Sequence, residues 1–416
     1  MPSSAVGKAV WSHRRLVVLL GALSAFGPLS MDMYLPGLPS MARDLSAPAW
    51  AAQLTITTSM LGLATGQLVA GPVSDALGRR RPLLAGVAAY AAASLLCAVA
   101  PTIWLLLLFR LVQGLAGAAG IVIARAIVRD MHEGVEAARF FALLVLVGGL
   151  APILAPLVGG ELLHVTDWRG IFVVLAGIGA LLLVSTWAIL GETLAPENRH
   201  GGGLVATLHV FRGLVRDRPF MGYTLAAGLT FAAMATYISG SPFVLQDIHG
   251  VSPQLFSVIF ASNAIGIMGA SQVSRLLVRR HGPRALLNAG VCVGAAGGLG
   301  VLVSVVAGLG LAGLLPSLFV MVSSVGVVLP NAAALALADH PRTAGSASAL
   351  LGVTQFATGA LAAPLAGVGG SHTALPMAIV MATLPLAGLA CLRRLAGPSG
   401  ARHVPREAQE AAQGQA

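Results

Sequence analysis

Two charged residues of opposite sign stand inside long apolar stretches of this sequence, Asp32 and Arg110. At a rise of 1.5 Å per residue, Arg110 lies ~13 Å along its helix from Pro101. Asp32 lies ~6–10 Å from Pro36 and Pro39 by the same rise. We therefore expect the two side chains at comparable depths, where they could interact within one half of the molecule.

A carboxylate and a guanidinium at this depth could carry protons. Burial in an apolar setting disfavours an ionised carboxylate, whereas a nearby arginine favours it. Balanced between these effects, Asp32 could take up a proton on one side of a membrane and release it on the other. We predict proton coupling at Asp32 and Arg110. Asp32 could instead cap or anchor its helix, and the sequence leaves that alternative open.

Polar and aromatic residues elsewhere in the apolar stretches are candidates for contact with a substrate. They are Met31, Tyr34, Gln53, Thr57, Gln113, Tyr237, Asn263, Asn331 and Gln355. Taken singly, each is better explained by a hydrogen bond or packing contact between helices. Few buried charges among apolar neighbours favour an amphipathic, neutral or weakly cationic compound.

The composition places these residues in a membrane. The chain is 56% hydrophobic and 10% charged, with a mean hydropathy of +0.85, whereas soluble domains carry about 25% charged residues. The apolar runs are about 20 residues long, the length of a helix that crosses ~30 Å of hydrocarbon. Lipid cannot hydrogen-bond a bare backbone, so the runs must be helices. The sequence predicts an all-α polytopic membrane protein.

Twelve hydrophobic segments are predicted. The first six lie near 15–36, 50–72, 82–100, 102–128, 138–163 and 169–190. The second six lie near 219–243, 254–277, 284–307, 311–337, 343–368 and 373–395. The predicted regions are an N-terminal six-helix bundle at 1–190, a cytoplasmic linker at 191–218, a C-terminal six-helix bundle at 219–396 and a disordered cytoplasmic tail at 397–416.

Basic residues set the predicted orientation and explain the net charge of +10. With the N-terminus inside, 21 of the 25 lysines and arginines fall on the cytoplasmic side, Arg43 and Arg169 fall outside, and Arg110 and Arg125 fall within the fourth predicted span. Positive charge collects on the cytoplasmic side of membrane proteins. Both termini and the linker are therefore predicted to be cytoplasmic, and nucleic acid is not a predicted partner.

Six phrases carry a family resemblance when they are read together. They are SMDMYLPGLP at 30–39, GPVSDALGRRR at 71–81, RLVQGLAGAAG at 110–120, APILAPLVGG at 151–160, YISGSPFVLQ at 237–246 and AGSASALLG at 344–352. With these phrases the chain resembles the major facilitator transporters over residues 15–395. Within them it is similar to the bicyclomycin/chloramphenicol-resistance (Bcr/CflA) branch of drug:proton antiporters.

The resemblance implies a fold and an activity. The fold is the major facilitator fold, two six-helix bundles with a substrate site near the midplane between them. The activity is export of amphenicol- or bicyclomycin-like antibiotics across the cytoplasmic membrane in exchange for protons. We expect a monomer in the lipid bilayer. Because the sequence has no HExxH, CxxC or P-loop pattern, it predicts no metal, no cofactor and no enzyme.

The resemblance also implies gating roles for the loop at 71–82 and for the phrase at 151–160. The implied gating residues are Gly71, Asp75, Gly78, Arg79, Arg80, Asp130, Pro152, Pro156, Gly159 and Gly160. Glycine permits tight turns, Asp–Arg bonds can hold one conformation closed, and proline bends a helix. We expect Arg79 to pair with Asp130. The loop arginines could instead only satisfy the positive-inside rule, and the helix phrase could serve only tight packing.

Three features depart from the family pattern. Ala151 and Ala155 replace the glycines of the broader superfamily pattern, although this branch commonly uses alanine there. Ala76 stands where the loop usually carries a basic residue, and the second half keeps only a faint counterpart of the loop, SRLLVRRHG at 274–282. The alternatives left open are export or uptake of a small metabolite such as an amino acid on the same fold. A membrane receptor or scaffold without transport is disfavoured by the charges inside the spans.

Overall fold

The computed structural model of the chain describes residues 13–132, 134–199, 211–340 and 343–397. The described residues are helical almost throughout and include no strand. We call residues 13–199 the first half and residues 211–397 the second half. Residues 200–210 of the predicted linker and the predicted tail from residue 398 lie outside the described residues.

The first half is built from eight helices in the part of the chain that the structure describes. They are α1 (His13–Ser24), α2 (Phe26–Asp32), α3 (Leu38–Asp44), α4 (Ala49–Leu77), α5 (Arg80–Ala98), α6 (Ile103–Met131), α7 (Gly134–Leu162) and α8 (Trp168–Ile189). The first span is broken, because α1 and the segment that follows meet at an angle of 45°. A short 3₁₀ turn at Leu35–Gly37 then joins α2 to α3.

Five helices of the second half have both ends within the described residues. They are α9 (Arg218–Phe243), α10 (Pro253–Val306), α11 (Gly310–Ala338), α12 (Ala344–Ala362) and α13 (Leu375–Leu395). A π-helical turn, Val244–Ile248, extends α9, and a 3₁₀ turn, Ala363–Gly367, extends α12. Asp217 caps the start of α9 by accepting a hydrogen bond from the backbone N–H of Phe220 at 3.1 Å.

The number of membrane spans follows from helix length and apolarity. Eight described helices are long and apolar enough to cross a membrane, and the bent first span raises the number to nine. Helices α4 and α7 each have 29 residues, enough for ~43 Å. Helix α10 has 54 residues and breaks at Gly282, so its two arms are two crossings. The described chain therefore contains the twelve predicted spans, and the predicted fold class is confirmed.

The two halves are joined at one end of the molecule. Arg43 forms an ion pair with Asp247 at 3.0 Å, and the side-chain amide of Gln246 donates to the carbonyl of Pro36 at 3.1 Å. Nearby, Gln254 of α10 donates to the carbonyl of Gly160 at 3.1 Å. We call this the joined end. The other end, where the chain turns at Gly78 and Gly282, is the turn end.

Candidate functional site

A small cavity lies between the two halves, beside Asp32. Its volume is about 110 Å³. Helices α2 and α7 of the first half and α9, α10 and α11 of the second half form its wall, which includes Asp32, Pro152, Tyr237, Phe260, Asn263 and Val322. Three of the predicted functional side chains, Asp32, Tyr237 and Asn263, therefore meet at one place although they are far apart in sequence.

Asp32 is the charged group in the described wall of this cavity. Its side chain is buried and makes no hydrogen bond or ion pair within the described residues. On the facing wall, the amide of Asn263 donates to the hydroxyl of Tyr237 at 2.7 Å, and the Tyr237 ring stacks on Phe260 at 5.5 Å. The cavity thus sets one carboxylate against an aromatic and amide surface.

Arg110 is fully buried in the first half, away from that cavity. Its guanidinium donates to the backbone carbonyl of Ser30 at 2.8 Å and to the side-chain oxygen of Gln113 at 2.6 Å. It also lies over the ring of Tyr34 at 4.4 Å and donates to the carbonyl of Thr55 at 3.4 Å. A cation buried in this way is stabilised by carbonyl dipoles and an aromatic face.

The expected contact between Asp32 and Arg110 is absent from the described ion pairs and hydrogen bonds. The two residues do lie close in the fold, because Arg110 holds the carbonyl of Ser30, two residues before Asp32. The Asp32 carboxylate faces the second half, because Asp32 lines a cavity with residues of that half, whereas the arginine packs inside the first half. The pairing was wrong because depth along a helix does not fix direction around it.

Seven other predicted substrate contacts lie outside the described lining of the cavity. Tyr34 and Gln113 belong to the surroundings of Arg110, and Tyr34 also shares a hydrogen bond with Thr55 at 2.8 Å. Asn331 donates to the hydroxyl of Ser274 at 2.7 Å within the second half. These contacts match the interhelical hydrogen bonds that the sequence left as the alternative.

The remaining four predicted contacts lie on other surfaces. Thr57 donates to the carbonyl of Ala360 at 3.0 Å and so joins the two halves. Gln53 is buried against the 3₁₀ turn that follows α12, where a Cβ on Gly367 would meet its side-chain oxygen at 2.5 Å. Met31 and Gln355 are half-buried.

A network of charges surrounds Arg79 at the turn end. Its guanidinium donates to Asp130 at the end of α6, with Nε and Oδ2 2.8 Å apart, and to Asp75 at the end of α4. The hydroxyl of Ser74 accepts a further bond at 2.8 Å. The expected contact between Arg79 and Asp130 is therefore present, and it ties α4, α5 and α6 together. Its role in gating stays a prediction.

Glu192, just after α8, completes this network and was missed in the sequence. Its carboxylate accepts bonds from the backbone N–H of Arg79 at 2.8 Å and of Arg80 at 3.3 Å. Burial raises the pKa of Glu192, but the bonds from Leu194, Arg79, Arg80 and Thr193 lower it more, so the net shift is downward. The one available signal was its position, a carboxylate that follows span six on the side of the Gly78 turn.

The pKa of the Arg79 guanidinium is affected in the same way by opposing causes. Burial lowers the pKa, whereas the bonds to Asp130 and Asp75 raise it, and the net shift is upward. Arg79 therefore stays charged while its side chain is only 6% exposed. The cation and its two carboxylates form a compact charged group.

The predicted loop at 71–82 is shorter than expected. Helix α4 continues to Leu77, so Gly71 lies inside a helix, where an added Cβ would meet Val122 at an ordinary 3.8 Å. The turn itself is at Gly78, with φ of +90°. Arg80 donates to the carbonyl of Trp187 at 2.9 Å and so ties α5 to α8. A turn role for Gly71 is therefore wrong, because residues 71–77 keep helical hydrogen bonding.

The residues APILAPLVGG at 151–160 lie in α7, which packs against other helices of the first half and also against the second half. Pro152 and Pro156 stand inside the helix, and Pro152 also lines the Asp32 cavity. A Cβ on Gly159 would lie 1.8 Å from the carbonyl oxygen of Met33, and one on Gly160 would lie 2.4 Å from the hydroxyl of Ser257. The packing alternative therefore holds for the glycines, and a gating role for all four residues stays a prediction.

Comparisons with known proteins agree with this arrangement. The family model of the Major Facilitator Superfamily matches residues 19–364. An uncharacterized MFS-type transporter, YdgK of Bacillus subtilis (strain 168), is 41% identical over 88% of this chain and 91% of its own length. A bicyclomycin resistance protein homolog of Haemophilus influenzae is 30% identical over 88% and 92%, and a chloramphenicol resistance protein of Pseudomonas aeruginosa is 29% identical over 94% and 93%.

Solved structures share the fold at low sequence identity. The nucleoside transporter NupG has a TM-score of 0.74 at 15% identity, covering 91% of this chain and 99% of its own. A bacterial homologue of the human lysosomal transporter Spinster, in an inward-facing and occupied conformation, has a TM-score of 0.72 at 15% identity, covering 90% and 93%. Because the family model matches residues 19–364 and a relative is 41% identical over 88% of the chain, the chain belongs to the Major Facilitator Superfamily and is a membrane transporter rather than an enzyme.

Proposed function

We propose that this transporter is a proton-coupled antiporter that exports small amphipathic drug-like molecules across the cytoplasmic membrane. The observation that carries the proposal is the Asp32 carboxylate, buried in the wall of a cavity between the halves without a described partner. An ionised carboxylate in such a setting costs free energy, which binding of a proton or of a polar substrate group removes. Proton and substrate then alternate at one site.

The lining of the cavity has the chemical character that a small amphipathic compound requires, although its volume of about 110 Å³ must widen to admit one, since pockets that hold drug-sized molecules are ~300–1,000 Å³. Tyr237 and Phe260 offer stacked aromatic faces, while Asn263 and Asp32 offer polar groups on opposite walls. Amphenicol- or bicyclomycin-like compounds have this mixed character, and two relatives are named for resistance to chloramphenicol and bicyclomycin. These names support the substrate class that we propose for this chain.

Alternating access accounts for the arrangement of the two ends. Two bonds between the halves, Arg43 with Asp247 and Gln246 with Pro36, lie at the joined end, and a third, from Thr57 to the carbonyl of Ala360, lies about two turns along α4. In the proposed cycle the turn end is cytoplasmic, and the conformation closed at the joined end is the one that receives substrate from the cytoplasm. Parting of the joined end and closure of the turn end would then release substrate outside, where Asp32 takes up a proton.

Arg110 acts in this proposal by positioning Asp32. It fixes the carbonyl of Ser30 in α2 and contacts the carbonyl of Thr55 in α4, so it holds the backbone that presents the carboxylate. Lysine keeps the charge but lacks the planar fork that reaches several acceptors at once. We expect Arg110→Lys to lose most of the activity and Arg110→Ala to lose at least as much.

The decisive experiment is a susceptibility panel in a host stripped of its own efflux pumps. Wild type is compared with Asp32→Asn at matched membrane levels, and Asp339→Asn, an exposed carboxylate at the end of α11, is the control. We expect wild type and Asp339→Asn to protect against at least one compound and Asp32→Asn to lose that protection. Full resistance in Asp32→Asn would falsify the proton site.

Proton coupling is tested separately in proteoliposomes that contain the purified protein. An imposed proton gradient should drive uptake of the identified compound in wild type and not in Asp32→Asn. If wild type protects against no compound in the panel, drug export is rejected. The same vesicles are then tested with amino acids and other small metabolites, in both directions of flux.

A further inference from the structure

A second cavity, of about 560 Å³, lies at the turn end of the second half and shares no described lining residue with the Asp32 cavity. It lies between the first turns of the second arm of α10 and the last turns of α13. Its lining includes Arg284, Asn288, Cys292, Leu389, Leu392 and Arg393. The described lining therefore holds two cations and no acidic residue.

The lining has a polar part and an apolar part. Arg284, Asn288 and Cys292 follow one another at intervals of four residues, so they form one face of α10. Leu389 and Arg393 stand at the same interval on α13. Both arginines lie on the side of the helix ends, whereas the thiol and the leucine lie one to two turns deeper. The cavity is thus cationic at its rim and apolar below it.

This cavity opens on the exposed surface of α10 and α13, both of which are candidate membrane spans. Asn288, Cys292 and Arg393 are exposed, although they belong to membrane spans. Continuing along the same two helices, the apolar side chains Val293 and Leu386 are 46% and 41% exposed. Exposed apolar side chains on a membrane span face lipid tails. An occupant of the cavity therefore comes from the lipid phase.

We propose that this cavity binds an anionic phospholipid. Its phosphate would lie against Arg284 and Arg393 with the amide of Asn288 as a further donor, and an acyl chain would follow Cys292 and Leu389. Basic pockets at the ends of transmembrane helices favour anionic headgroups, and guanidinium groups bind phosphate oxygens through charge-assisted hydrogen bonds. A free phosphate would leave the apolar part of the cavity empty. The quaternary ammonium of a choline headgroup would lie near the guanidinium groups of Arg284 and Arg393 and be repelled by them.

Arg284 connects this site to the end of the last span. Its Nη2 group donates to the backbone carbonyls of Ala396 and Gly397, which follow α13. A lipid held by both arginines would therefore bridge α10 and α13 at their ends. This proposal does not depend on the drug-export proposal, because the two sites share no residue.

The test is a lipid titration of the detergent-purified full chain, read by native mass spectrometry. Phosphatidylglycerol is compared with phosphatidylcholine of the same acyl chains. We expect phosphatidylglycerol to bind at least tenfold more tightly. Each arginine should contribute about fivefold. Arg393→Gln should then weaken binding about fivefold, and Arg284→Gln combined with Arg393→Gln about 25-fold.

The matched control is Arg279→Gln combined with Arg280→Gln, which removes two exposed charges from the neighbouring turn outside the described lining. It should keep phosphatidylglycerol binding within about threefold of wild type. Equal binding of both lipids to wild type, or an equal loss in this control, overturns the proposal. Displacement of the lipid by millimolar glycerol 3-phosphate overturns it too, since the site would then take the phosphate alone. The single variant Arg393→Gln leaves the bonds from Arg284 to the carbonyls after α13 in place. Weaker lipid binding in this variant therefore does not come from the loss of those bonds.

Discussion

The turn at Gly78 in the first half and the turn at Gly282 in the second half have nearly the same backbone angles. Gly78 has φ of 90° and ψ of 168°, and Gly282 has φ of 76° and ψ of 157°. Only glycine adopts this region without strain. The surroundings differ, because Arg79 is bonded to Asp75 and Asp130, whereas Arg284 is bonded to the carbonyls that end α13.

The comparison separates what the repeated fold requires from what the first half adds. Both halves need a tight reversal between two antiparallel spans, and glycine supplies it in each. In the first half, a buried cation and its carboxylates join the ends of three helices. The second half ties a helix end through backbone carbonyls. We infer that the charge network of the first half serves the conformational change, because the reversal of the chain does not require it.

The largest effect on export is expected when the charge of Arg79 is removed. Arg79→Gln leaves Asp75 and Asp130 without their cation, and Asp130 is only 15% exposed. Breaking a buried pair from one side leaves a poorly solvated charge, which is costly. We expect export of a compound identified in the panel to fall at least tenfold, with partial recovery in Arg79→Lys. Export is measured in cells at matched membrane levels.

The control for that experiment is Arg280→Gln, which removes one exposed arginine from the second-half turn. We expect its export to stay within about twofold of wild type, because exposed charges contribute little. An equal loss in both variants would show that net positive charge at this end of the molecule is what matters. The comparison between the two turns would then have no functional meaning.

A smaller effect, on stability, is expected when the turn glycines Gly78 and Gly282 are replaced by alanine. Gly78→Ala and Gly282→Ala should each lose about 1–3 kcal/mol of stability, because alanine is strained at these angles. At Gly78 the new Cβ would also lie 2.4 Å from the carboxylate of Glu192, whereas at Gly282 no atom lies within 4 Å. Gly78→Ala should therefore have the lower thermal unfolding temperature in detergent. If Gly282→Ala had the lower unfolding temperature, Glu192 would move away from the new Cβ at Gly78 without a loss of stability.

The spans and one of the two predicted charge contacts, Arg79 with Asp130, could be predicted from the sequence. The other contact, Asp32 with Arg110, could not. Apolar runs give spans because lipid demands helices. The pair Arg79–Asp130 was predictable because both residues lie at the same end of neighbouring spans. The pair Asp32–Arg110 was not, because similar depth leaves rotation around the helix undetermined.

The cavity wall shows the same limit. Tyr237 and Asn263 stood out as polar groups in apolar spans, and the fold brings both to Asp32. Phe260 and Met234 line the same cavity, but an apolar side chain in an apolar span carries no signal in a single sequence. Glu192 stands outside the spans, where a carboxylate carries little signal in a single sequence, although it holds the backbone of the Gly78 turn.

The smallest of these effects should come from Glu192→Gln, which tests whether the first-half turn depends on acceptors as well as on charge. The carboxylate accepts with both oxygens, whereas the amide keeps one acceptor and turns an NH₂ group towards the N–H of Arg80. We expect a loss of about 1 kcal/mol in stability and less than fivefold in export. Since folding lowers the pKa of Glu192, its contribution is present above the usual Glu pKa and is lost as the pH falls through the lower folded value.

The difference in unfolding temperature between wild type and Glu192→Gln should therefore be constant between pH 8 and about pH 5 and shrink below about pH 4. The matched variant is Glu197→Gln, an exposed carboxylate shortly after α8, which should show no such difference. A difference that grows as the pH falls would mean that the turn favours the protonated acid. The N–H groups of Arg79 and Arg80 could then not be what fixes the first-half turn.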